Sequence, residues 1–147
     1  MKKIILLITM MLGIAAATYA QVPSAQSAID RAAKPGDTLT VTVNVKKCDL
    51  ACFAQYQQLL PEGMTALEIN GGSDNANFYF DNSKVQYQWY KLPIERDIIT
   101  LKYRLVVAST MKPGKYNLPG YFSYQMHNRL GQVNTPLIVE VDRKSVV

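Results

Sequence analysis

The sequence predicts an all-β chain, an antiparallel sandwich of about seven to nine strands behind a signal peptide and a short leader. Two observations carry this. Between Thr38 and Val141 apolar residues recur at every second position, the period of an extended chain whose side chains alternate between two faces. Clusters of Gly, Pro and Asn interrupt that alternation at roughly 8–12-residue intervals, the rhythm of a sandwich built from short strands.

The first twenty residues have the three parts of a secretory signal: Lys2 and Lys3, an apolar run from Ile4 to Ala17, and the small-residue site Thr18-Tyr19-Ala20. Cleavage is expected after Ala20, with a cut after Ala17 as the alternative. The run is too short, and too closely followed by Gln21, Ser24 and Gln26, to serve as a membrane span. With Cys48 the nearest cysteine, no lipid anchor is expected. The mature chain is thus expected to be exported and without a span: periplasmic, outer-membrane associated or extracellular. Cleavage removes two of the 16 basic residues, leaving 14 against 11 acidic ones. Lys46-Lys47 and Arg143-Lys144 are pairs, not a patch, which argues against nucleic-acid binding. About 127 residues make one domain, assigned to 37–147.

Gln21 to Gly36 is small and polar, with Pro23, Pro35 and Gly36 as breakers, and reads as a leader in which Ser27 to Ala33 has room for a short helix. Leu39, Val41, Val43 and Val45 alternate with Thr38, Thr40, Thr42 and Asn44 as the first strand. Phe53 to Leu60 is the second, ended by the turn Pro61-Glu62-Gly63, and Thr65 to Ile69 a short third. Asn77 to Phe80 and Val85 to Tyr90 flank Asp81-Asn82-Ser83-Lys84 and are expected to form a hairpin. Ile98 to Val107 is the longest strand. Lys115 to Met126 follows the turn at Lys112-Pro113-Gly114, with Tyr116, Leu118, Phe122, Tyr124 and Met126 on one face. Asn128 to Gly131 turns again, and Pro136 to Val141 closes the domain.

Few residues suit acid, base or metal chemistry. His127 is the one histidine and sits beside a turn; Ser73 lacks the Gly-x-Ser-x-Gly frame. Glu62, Glu68, Glu95 and Asp97 have no evident pairing, so no catalytic residue is assigned and the chain reads as a non-enzyme. Asp74, Asn75, Asn77, Asp81 and Asn82 gather oxygen ligands, but lack the spacing and closing glutamate of a calcium loop and read as turn formers; neither metal nor cofactor is expected.

Cys48 and Cys52 are a candidate disulfide on grounds of compartment. On a straight strand their Cα atoms would lie roughly 13 Å apart, so a bridge requires the chain to turn at Asp49-Leu50-Ala51. Separate buried thiols are the alternative. Trp89 shares a face with Val85 and Tyr87 and reads as core, whereas Tyr79, Tyr90 and Tyr121 have the opposite parity and project outward. Outward tyrosines suit a protein interface or a sugar-stacking platform; an interface is preferred.

Four strings run through nearly the whole mature chain: Phe53-Ala54-x-Tyr56-Gln57-Gln58-x-Leu60-Pro61-Glu62-Gly63, Asn77-Phe78-x-Phe80, Val85-x-Tyr87-x-Trp89-x-x-Leu92-Pro93, and Gly114-x-Tyr116-x-Leu118-x-Gly120-x-Phe122-Ser123-Tyr124. Together they resemble a domain of exported Bacteroidota-type envelope proteins, which implies a cohesin-like or immunoglobulin-like sandwich. Cys48 and Cys52 stand outside that pattern, and Val147 comes with no added module, which suggests a subunit. The function expected is binding of another envelope protein, as an accessory subunit of an outer-membrane or secretion-linked assembly. A carbohydrate-binding or adhesin module is the alternative. Oligomeric state is open.

Overall fold

A computed structural model of the chain describes residues 22–126 and 129–143. The signal sequence, the signal cleavage point and His127 lie outside the described residues. Eleven strands are present: β1 (Ser24–Ile29), β2 (Thr38–Lys46), β3 (Ala54–Leu59), β4 (Met64–Glu68), β5 (Asn77–Asp81), β6 (Lys84–Trp89), β7 (Ile98–Val107), β8 (Gly114–Asn117), β9 (Gly120–Met126), β10 (Arg129–Thr135) and β11 (Ile138–Val141). They form a four-stranded sheet ordered β1-β2-β7-β4, a five-stranded sheet ordered β10-β9-β3-β6-β5, and a small β11-β8 pair. Every strand pair is antiparallel.

The strands form where the alternation is strict. In β2 the threonines and Asn44 face outward while Leu39, Val41, Val43 and Val45 are buried, and β7 repeats this with Ile99, Leu101, Tyr103, Leu105 and Val107. Branched side chains on a pleated, half-buried surface hold their rotamers at little cost. The β5–β6 hairpin takes the expected place: Asp81 pairs with Lys84, and Asn82 and Ser83 both have positive φ, 51° and 61°. Two such residues make the primed turn whose twist matches the strands it joins. At the N-terminal side Lys34-Pro35-Gly36-Asp37 is closed by Asp37 N–H donating to Lys34 O at 3.0 Å, with Gly36 at φ 88° supplying a conformation that costs other residues.

Three expectations need correcting. Residues 24–29, part of the 21–36 segment read as a leader, are instead strand β1, hydrogen-bonded along β2 from Ser24↔Lys46 to Ile29↔Val41, and this strand takes the first residues of the short helix allowed at Ser27 to Ala33. Their pattern was hard to see because Ala25, Ser27 and Ile29 are only half-covered. Lys115 to Met126 is two strands: Pro119 cannot donate to a ladder, and the chain leaves the small pair at Asn117 to enter the five-stranded sheet at Gly120. Arg129–Thr135 is the edge strand β10, where a turn was expected over Asn128 to Gly131, and its Gly131 leaves room for the Tyr124 ring. Among the described residues there are therefore eleven strands, where about seven to nine were expected.

The two large sheets share one interior. Trp89, Tyr103 and Phe122 are all essentially inaccessible, and Trp89 meets Phe122 edge-on with centroids 6.3 Å apart. Tyrosine hydroxyls cross this interior. Tyr56 on β3 hydrogen-bonds Ser27 on β1 at 3.0 Å and Thr135 on β10 at 2.9 Å. Tyr103 on β7 donates to the buried Gln58 amide oxygen on β3, and Tyr87 on β6 donates to Lys102 O on β7 at 3.3 Å. Gln58 in turn donates to Leu118 O at 3.3 Å. Gly120 is needed beside the Tyr56–Thr135 contact, because a Cβ there would overlap both hydroxyls. A buried hydroxyl without a partner costs about 1–3 kcal/mol, so these ties hold the sheets in one register.

Burial pushes all three phenols upward: Tyr103 well above its ordinary range, Tyr56 and Tyr87 also raised, Tyr87 further by the nearby Glu68 carboxylate. The unfolded chain releases these protons near pH 10.0 and the native state keeps them. The native state thus binds more protons above that pH, and its stability falls as pH rises. Urea midpoints are expected to show no tyrosine contribution to pH dependence below about pH 9 and to fall steeply above about 10. Tyr103→Phe should flatten that fall; an unchanged alkaline slope would contradict the assignment.

Candidate interaction surface

The outer face of the five-stranded sheet is assembled by register. One row runs Asn134, Tyr121, Gln57, Gln86, Tyr79 from β10 to β5, and the next runs Gln132, Ser123, Gln55, Gln88, Asn77. Gln86 donates from Nε2 to Gln55 Oε1 at 3.1 Å, tying the two rows. Among the described residues of these strands, the charged side chains with outward parity are Asp81 and Lys84 at the β5–β6 turn. At the opposite end Leu130 pairs with Gln125, whose N–H donates to Phe53 O at 3.1 Å. Continuing the Ala54↔Trp89 register by one residue sets Phe53 beside Tyr90. Leu130, Phe53 and Tyr90 are all exposed, Tyr90 at 93%.

All three sequence-selected tyrosines therefore emerge from one face, although they do not touch. Tyr79 is half-exposed, Tyr90 exposed and Tyr121 partly covered. Tyr79 and Tyr121 lie three strand steps apart in one row, roughly 14 Å, and Tyr90 lies about 13 Å along β6 from that row. The ground between them is amide. Those glutamines were not singled out from sequence, though Gln55/Gln57 and Gln86/Gln88 share the outward parity and were legible by it.

Cys48 and Cys52 are separate thiols, not the bridge expected from compartment. The expected bend exists, but a turn makes it: Leu50 N–H donates to Lys47 O at 3.3 Å and Cys48 takes φ 57°. Lys47 holds that turn from inside. It is buried, and its Nζ donates to Cys48 O at 3.2 Å and Leu50 O at 3.0 Å. Cys48 is buried with the turn while Cys52 stays partly covered next to β3. Burial pushes the Cys52 thiol up, which keeps it in the weakly nucleophilic neutral form.

The Asp/Asn cluster is used for turning and bracing. Asp74 and Asn75 both occupy the left-handed region, at φ 46° and 63°. The Asp74 carboxylate pairs with Arg96 and accepts the Thr100 N–H at 3.1 Å, while its carbonyl accepts Trp89 Nε1–H at 2.9 Å. A surface cavity of about 300 Å³ opens beside it, lined by Gly71, Gly72, Arg96, Ile98, Thr100 and Lys102. Among the described residues no three His, Cys, Asp or Glu side chains converge. Ser73 Oγ donates to Glu68 at 3.1 Å. Among the described residues no helix is long and apolar enough to cross a membrane.

Neither a family model nor a curated protein matches the chain. Solved structures do match by shape. The full-length major pilin SpaD of Corynebacterium diphtheriae superposes with a TM-score of 0.60 at 11% identity, over 79% of this chain and 35% of the pilin. A non-cellulosomal cohesin from the archaeon Archaeoglobus fulgidus gives 0.54 at 12%, over 83% and 92% of the two chains. The fold is a cohesin-like, immunoglobulin-like sandwich. The bacterial hydrophobin BslA is similar too, with a TM-score of 0.50 at 13% identity over 87% of this chain and 99% of its own. These likenesses concern backbone arrangement, and this chain spans about a third of the pilin.

Asp74 joins the loop before β5 to β7 and to Trp89, so Asp74→Ala should cost about 1–3 kcal/mol by stranding the Thr100 N–H and the Arg96 guanidinium. Equilibrium unfolding in urea measures it. A loss below about 0.5 kcal/mol, the range of an ordinary surface change, would contradict the bracing role.

Proposed function

We propose that this chain is an exported, non-catalytic β-sandwich of a Bacteroidota-type envelope that binds another envelope protein through the outer face of its five-stranded sheet. It would act as an accessory subunit of an outer-membrane or secretion-linked assembly. One observation carries the reading: Tyr79, Tyr90 and Tyr121 share a face whose two amide rows, among the described residues, hold no charged side chain. Tyrosine offers a large contact area with only two side-chain torsions to immobilise, and a face with few charges loses little by desolvation. Sparse aromatics amid amide rows match the interface pattern in which a few anchors dominate the energy. Export is supported by the signal-like N-terminus, and the non-catalytic part by the lack of an evident acid–base pairing of Glu62, Glu68, Glu95 or Asp97 in the sequence.

The amide rows favour a second reading, a carbohydrate-binding or adhesin module. Glutamine and asparagine both donate and accept, which suits sugar hydroxyls, and the tyrosines would stack on ring faces.

Replacing Tyr79, Tyr90 and Tyr121 together by Ser should lower recovery of the co-purifying envelope protein at least tenfold, roughly 1.4 kcal/mol, with the thermal midpoint close to that of the parent chain. Quantitative mass spectrometry of material captured from envelope extracts reads it. Undiminished capture by the triple variant would reject this face, and binding on a glycan array lost in the same variant would favour the second reading.

A further inference from the structure

β5 is an edge strand whose outward backbone groups are identifiable. It pairs with β6 on one side alone, Asn77↔Gln88 through Asp81↔Lys84. Across a two-residue primed turn the flanking residues form the first hydrogen-bonded pair, and hydrogen-bonded and non-bonded pairs then alternate. Asp81, Tyr79 and Asn77 therefore spend their N–H and C=O groups on β6. Phe78 and Phe80 point theirs out of the sheet. Natural edges are usually blunted by Lys, Pro or a bulge. β5, Asn-Phe-Tyr-Phe-Asp, has none of these; its one charge is Asp81 at the turn, β4 of the other sheet comes near without pairing to it, and the Phe78 and Phe80 rings are only partly covered.

The strand is also complementary to itself. Run antiparallel to a second copy about Tyr79, all five residues align. Phe78 faces Phe80 of the other copy in two hydrogen-bonded pairs, which satisfies four N–H and four C=O groups in all. Tyr79 faces its own counterpart on the outer side at a non-bonded position, where side chains approach most closely. Asn77 faces Asp81, an amide against a carboxylate, so no like charges meet. The inner-face Phe78 and Phe80 rings of the two copies then cover one another.

We propose that two copies of this chain associate through β5, joining their five-stranded sheets into one ten-stranded sheet across a two-fold axis at Tyr79. The outer faces then form one continuous surface. This association does not depend on that surface binding a partner, and it is tested at Asn77, which lies outside the tyrosine set.

Sedimentation velocity of the mature chain over a concentration series should show a monomer–dimer equilibrium. Asn77→Asp sets carboxylate against carboxylate twice across the axis and should weaken the dimer roughly tenfold, whereas Asn77→Lys meets Asp81 of the other copy and should hold it as tight or tighter. Asn77 is exposed, so neither change threatens the core. A monomer at every concentration would overturn the proposal. So would a dimer that responds equally to Asn77→Asp and Asn77→Lys, or to neither. Loss of dimer in Asn77→Asp with envelope-protein capture retained would leave the reading of the outer face standing by itself.

Discussion

Two twisted sheets with hydrocarbon inner faces can slide over each other unless something directional crosses the gap. Here three tyrosines do so. Tyr56, Tyr87 and Tyr103 bury their rings among valines and leucines and send their hydroxyls to Ser27, to Lys102 O and to Gln58 on the opposite sheet. Each ring contributes area, and each hydroxyl accepts only one position of the facing strand, since leaving it without a partner in the interior costs more than the bond returns. Non-directional packing thereby becomes a single register.

That register recruits the segments at the rim. β1 is weakly apolar, and its place rests on the β2 ladder and on Ser27 reaching Tyr56. Ala33 likewise clamps β11, its N–H donating to Glu140 O at 2.9 Å and its O accepting Asp142 N–H at 2.8 Å. With the inner faces committed, the outer faces are free of packing duties, and the five-stranded sheet carries tyrosines and amides where its opposite carries threonines with Lys102 and Arg104. The difference between those outer faces, rather than the shared fold, is what the proposed binding role rests on, since one sandwich serves many tasks.

The sequence was legible where burial is one-sided and strict. β2 and β7, the β5–β6 hairpin, the buried Trp89 and the outward parity of Tyr79, Tyr90 and Tyr121 all follow from a period of two. It was illegible where tertiary contacts decide. β1 lacks large apolar residues, and β10 begins in a string, Asn128-Arg129-Leu130-Gly131, whose local chemistry is that of a turn. Lys115 to Met126 keeps its alternation through a change of sheet that only Pro119 signals. Compartment favoured a bridge between Cys48 and Cys52, but the buried Lys47 side chain organises that turn instead, a role charge patterning could not disclose. Exposure of three tyrosines could be read from parity; their sharing one face needed the strand order.

A double-mutant cycle between Tyr103 and Gln58 tests the cross-sheet ties most directly. Tyr103→Phe, Gln58→Leu and the pair together are compared by urea unfolding. The account requires each single change to cost about 1–3 kcal/mol and the double variant to cost less than their sum by about 1 kcal/mol or more, since removing both partners leaves nothing unsatisfied between them. Costs that add to within about 0.3 kcal/mol would mean the contact is incidental, and that apolar packing alone sets the register of the two sheets.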